Sequence, residues 1–139
     1  MEPAARHLVF HAAIVLSIGL AYGAPYARAI KSGAPTNVVH SWRVAHLSIP
    51  IGATLMFAIA PLLSFFSTPQ LLKWLIAGLL GVSAYAFCVA LPLAAITGDR
   101  GLASGARGLA RLVYFGNVVG AWTSMAAAFL LVYAAFVSL

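Results

Sequence analysis

Residues 74–98 read WLIAGLLGVSAYAFCVALPLAAITG, with no charge between Lys73 and Asp99. A helix needs about 20 mostly apolar residues to cross the hydrocarbon of a bilayer, so this stretch is long enough for one crossing. Three more uncharged stretches, 8–27, 44–72 and 112–139, meet the same condition. Across the 139 residues, 63% are hydrophobic and 7% charged. So few charges cannot cover a soluble domain, in which about a quarter of residues are charged. The chain is expected to be an integral membrane protein with the lipid bilayer as its surroundings.

The second stretch ends where Ser67, Thr68 and Pro69 mark a new helix start, with a hydroxyl to cap the orphan amides and Pro69 at the first helical position. The four expected helices are 8–29, 42–66, 69–97 and 108–137. Gly33, Pro35 and Asn37 fall in the first connection, and Gly98, Gly101 and Gly105 in the third. Connections this short force neighbouring helices antiparallel. The expected fold is all-α, an up-down four-helix bundle forming a single transmembrane domain over 1–139.

The net charge is +6, from eight Lys and Arg against two Asp and Glu. The basic residues form no long cluster, which excludes nucleic acid as a partner. Arg28, Lys31, Arg43, Arg100, Arg107 and Arg111 border the first and third connections, leaving only Arg6 and Lys73 at the other end. By the positive-inside rule those two connections are cytoplasmic and both termini lie outside, as expected of a multi-pass protein of the cell inner membrane. Arg6, the apolar run from Leu8 and the small residues at 24–29 imitate a secretory signal. Gly19 and Gly23 make a small-xxx-small face that favours a retained span, and Gly116 and Gly120 repeat it on the last helix.

Ionisable groups at membrane depth are costly and mark candidate sites. His7 and His11 stand four apart at the outer start of helix one, suited to a metal or, more simply, to water and headgroups. His40 and His46 flank the inner start of helix two. A helix of this length separates the pairs by about 30 Å, so they cannot share one metal ion. Arg43 lies three residues before His46 and shares its face. Pro50 has no amide for the carbonyl of His46 and is expected to bend the helix there. An imidazole ligand, apolar walls and nearby cations (Arg43, Arg107 and Arg111) fit haem b, whose iron His46 would bind and whose propionates the arginines would meet. Tyr85 and Asn117 can reach a bundle cavity and are the candidate catalytic side chains. Asp99 and Arg100 read as a local ion pair in a turn, and Cys88 as an inert buried thiol. No triad, paired-carboxylate site, phosphate loop or zinc motif is present.

Trp42-Arg43-Val44-Ala45-His46 at the start of the second span resembles the styrene oxide isomerase family. The early His7-Leu8-Val9-Phe10-His11 segment, the turn Thr97-Gly98-Asp99-Arg100-Gly101-Leu102 and Leu112-Val113-Tyr114 are similar to it as well. The resemblance implies a homotrimer holding haem b between subunits with His46 as axial ligand. It also implies a small hydrophobic epoxide as substrate, isomerised to a carbonyl compound with ferric iron as Lewis acid. The sequence departs from that pattern at Gly52, where the family has an asparagine, and at 81–84 and Cys88, where it has a Gly-Trp-(Ser/Gly)-Asn patch and a tyrosine. These departures leave open a non-catalytic haem protein (sensor, carrier or electron-transfer partner), or a cofactor-free subunit of a larger membrane complex.

Overall fold

The computed structural model describes residues 1–101 and 107–139, so Leu102 and Gly105 of the third connection lie outside the described residues. Five helices follow in order: α1 (Pro3–Ala21), α2 (Gly23–Lys31), α3 (Thr36–Phe65), α4 (Gln70–Thr97) and α5 (Leu109–Phe136). Four helical segments are long and apolar enough to cross a membrane, the first being Pro3–Lys31 across α1 and α2 together. The protein is a multi-pass membrane protein. Helix suits lipid because each span closes its own backbone hydrogen bonds.

The first span is interrupted, which the apolar pattern had not announced. Pro25 has no amide to give the carbonyl of Ala21, four residues earlier, and α1 ends at that residue. The bend expected at Pro50 has no such break: α3 runs as one helix through both Pro50 and Pro61. α2 stops at a Schellman turn. Gly33 takes a positive φ of 64°, its amide donates to Ile30, and the amide of Ala34 donates to Ala29.

Two helix starts fall earlier than the charge gaps indicated. α1 begins at Pro3, with Ala4 and Ala5 buried, and α3 begins at Thr36, six residues before the expected 42. Charges limit what enters hydrocarbon, but they do not stop a helix. The expected hydroxyl cap of the third span is absent, since Pro69 itself occupies the cap position with no side-chain bond. Instead Ser67 donates its amide to the Ser138 hydroxyl at 2.9 Å, tying this turn to the end of α5.

α4 is the hub. It packs on α1, α3 and α5, whereas α5 contacts only α4 among the described residues. The α4–α5 seam is close because Gly116 and Gly120 have no side chains: a Cβ on Gly116 would lie 2.8 Å from that of Ala90, and one on Gly120 2.7 Å from the Phe87 ring. Ser83 donates to the Gly120 carbonyl across the same seam at 2.7 Å. With α5 held on one side, a cleft of about 430 Å³ opens between α3 and α5 over a floor of α4.

At the N-terminal end Glu2 pairs with Lys73 at 3.2 Å, their side chains 16% and 10% exposed. That ion pair pins the start of α1 to the start of α4. A core of Leu8, Ala12, Met56, Ile59, Leu63 and Ile76 lies beneath it. A second core of Val15, Ile49, Ala53 and Cys88 lies toward the break in the first span.

Candidate functional site

His46 sits on α3 beside that break. Its Nδ1 lies 3.0 Å from the carbonyl oxygen of Gly19. A carbonyl can only accept, so Nδ1 carries a hydrogen, and in the neutral ring the lone pair is on Nε2. Among the described residues Nε2 has no hydrogen-bond partner. Gly23 makes room for the ring: a Cβ there would stand 3.0 Å from Cε1 and 3.5 Å from Nε2. The Tyr26 ring lies 6.0 Å from the imidazole, centre to centre. The Gly19–Gly23 pair, legible as a packing motif, therefore also cradles a histidine.

The same two helices are locked at this level. A Cβ on Gly19 would fall 2.5 Å from Pro50 Cδ and 2.9 Å from Ile49 Cγ2. Tyr22, at the junction of α1 and α2, places its ring 6.0 Å from Trp42 and donates its hydroxyl to the Cys88 carbonyl at 2.8 Å. Gly19, Tyr22 and Tyr26 were not among the residues the sequence singled out for this site. The available signal was Gly23 and Pro25 close together inside an apolar span.

The basic residues divide. Arg43 lies one turn before His46 and is exposed, and Arg28 and Lys31 occupy the last turn of α2, which packs on α3. Arg107 lies just before α5 and Arg111 in its first turn, and α5 contacts neither α2 nor α3 among the described residues. Arg111 lies 5.4 Å above the Phe115 ring. Within one chain, then, Arg43 and His46 stand together on α3, and Arg111 on α5 stands apart from them.

Tyr85 and Asn117 have other partners. The Tyr85 hydroxyl is 2.9 Å from His11 Nδ1, and Asn117 Nδ2 donates to the Arg100 carbonyl at 3.1 Å. The second bond belongs to a built turn. Asp99 accepts the Gly101 amide at 2.8 Å, and Gly101, with φ 63°, fits against α5 where a Cβ would meet Val113 Cγ1 at 2.6 Å. The carboxylate of Asp99 thus serves a backbone amide in this turn. His40, Ser41, Arg100 and Asn117 line a smaller cavity of about 200 Å³ at this end, and Gly52 lines the α3–α5 cleft, where a Cβ would meet nothing within 4 Å. Cys88 is buried, 5% exposed.

The arrangement supplies one imidazole with Nδ1 committed to a carbonyl, aromatic walls and cations within a turn or two. A family model described as styrene oxide isomerase matches residues 4–136, which takes in the His46 cradle, the turn at Asp99 and all four spans. No curated protein and no solved structure matches the chain. A match of that extent shows that this chain belongs to the styrene oxide isomerase family.

Proposed function

We propose that the protein is a haem b-dependent membrane isomerase that converts a small hydrophobic epoxide to a carbonyl compound, with His46 as the residue that would hold the iron. The observation that carries this reading is the bond from His46 Nδ1 to the Gly19 carbonyl. It is the outer hydrogen bond that metal-binding histidines use to fix ring orientation and raise ligand basicity. The donor set fits the cofactor: an imidazole whose Nε2 has no partner among the described residues, Gly23 clearing the ring, and Arg43 and Arg28 nearby for propionates. Held by His46, the haem would supply a Lewis acid for the epoxide oxygen, the chemistry that a redox-neutral epoxide-to-carbonyl isomerisation calls for.

The chain's own residues have simpler tasks. Gly19 holds the His46 proton on Nδ1. The aromatic rings of Tyr22, Tyr26 and Trp42 keep water from the cradle, and no general base is called for. His46 is only partly buried within one chain. In this reading a second copy of the chain completes the burial of His46, giving a homo-oligomer, a trimer by family resemblance. Both termini then lie outside the inner membrane, with the Arg43 end cytoplasmic.

The test is a terminal aryl epoxide carrying two deuterons on its CH2 carbon, given to the purified ferric protein. An aldehyde that retains one deuteron on each carbon, formed by wild type and not by His46→Ala, is the expected result. A diol, or unchanged epoxide, refutes it.

A non-catalytic haem protein is the second reading, and one observation favours it. At Gly52 and Cys88, where the family pattern carries an asparagine and a tyrosine, this chain presents bare backbone facing the cleft and a buried thiol. Spectral capture of carbon monoxide by the reduced protein, together with no epoxide turnover, supports that alternative.

A further inference from the structure

Far along the first span from His46, a second polar cluster lies at membrane depth. His7 and His11 are one turn apart on α1, with ring centres separated by 6.4 Å. From α4, Trp74 brings its ring 5.0 Å from His7, and Tyr85 brings its hydroxyl 2.9 Å from His11 Nδ1. These four side chains edge a groove of about 530 Å³ whose floor includes Ala77, Gly78 and Gly81. A Cβ on either glycine would meet nothing within 4 Å. Glycine weakens a helix relative to alanine, and no neighbour requires it at these two positions. What the two glycines provide is a flat, vacant floor.

The chemistry at the edge is specific. If the Tyr85 hydroxyl donates to Nδ1, then His11 Nε2 carries a hydrogen with no partner. If Nδ1 donates to Tyr85, the phenolic hydrogen is the one left over. In either tautomer the pair keeps one unused donor, and no other side chain among the described residues accepts it. A donor at hydrocarbon depth is costly to leave unpaired. Aromatic and aliphatic walls with one convergent donor are the ordinary make-up of a small-molecule site.

We propose that this groove binds a flat, membrane-soluble carbonyl compound, its oxygen accepting from the His11–Tyr85 pair and its rings lying over Gly78 and Gly81. The site is separate from the His46 cradle and needs no cofactor. It gives His11 and Tyr85 a task that the isomerisation reading leaves unassigned.

The probe is 1,4-naphthoquinone, titrated into the full chain in lipid nanodiscs and read by quenching of tryptophan fluorescence. Saturable quenching is expected in wild type and in His46→Ala. In the double variant His11→Leu/Tyr85→Phe, which has no donor left, affinity falls by about ten-fold or more. In Gly78→Leu, whose side chain fills the floor, saturable quenching is lost while helicity and melting temperature stay at wild-type values. Equal quenching in all four proteins means partition into the bilayer only and overturns the proposal. Loss in His46→Ala with retention in Gly78→Leu places the ligand at the other site and overturns it too. A Gly78→Leu protein that fails to fold contradicts the open floor and has the same force.

Discussion

Replacing Gly19 with alanine is the most informative single change. The added carbon would lie 2.5 Å and 2.8 Å from the Pro50 ring and 2.9 Å from Ile49 Cγ2. Carbon atoms rest at about 3.5–4.0 Å, so α1 and α3 must move apart by about 1 Å. Neither neighbour yields easily, because one is a closed ring and the other is β-branched. Overpacking of this kind costs about 1–3 kcal/mol. The intrinsic helix advantage of alanine over glycine returns up to about 1 kcal/mol. Moving the Gly19 carbonyl away from His46 Nδ1 removes about 1 kcal/mol more. The net destabilisation is therefore about 1–3 kcal/mol. Gly52→Ala is the control, since a Cβ there meets nothing within 4 Å; it is expected to be neutral or to stabilise by up to about 1 kcal/mol. Unfolding in mixed micelles, followed by far-ultraviolet circular dichroism, measures both. Equal stability of the two variants would refute the reasoning.

Three further outcomes follow from the packing. Lys73→Met strands the Glu2 carboxylate, which is 16% exposed beside it, and should destabilise more than the double variant Glu2→Gln/Lys73→Met; a thermal-melt cycle showing no coupling contradicts a structural ion pair. Gly116→Leu should part α5 from α4, because a Cβ already meets that of Ala90 at 2.8 Å; a cross-link between cysteines placed on the two helices should then slow, and an unchanged rate contradicts the seam. Cys88, 5% exposed, should resist a maleimide in the folded protein and react after unfolding in detergent, as read by intact mass; fast labelling of the native state contradicts its burial.

The four spans were legible because charges are expensive in hydrocarbon, so the uncharged stretches 8–27, 44–72, 74–98 and 112–139 map onto them. Helix ends were less legible for the same reason: Thr36–Arg43 is polar and still helical, since polarity restricts depth in the membrane rather than backbone conformation. The break at Tyr22 was hidden by an apolar pattern that runs straight over it, although Pro25 was in view. At the site, the shared face of Arg43 and His46 followed from their spacing of three. Gly19 as the hydrogen-bond partner of His46 did not, because it is a contact between spans and local periodicity carries no information about it. Tyr85 and Asn117 stood out as polar groups at depth, but their partners, His11 and the Arg100 carbonyl, come from how α4 meets α1 and how the Asp99 turn folds onto α5.

The most direct test of the account is an absorption spectrum of the full chain purified from haem-replete cells, wild type beside His46→Ala. The account predicts a Soret band in wild type and its collapse in the variant, with helicity unchanged in both. A colourless, fully helical wild-type protein, or a Soret band that survives loss of His46, would contradict it.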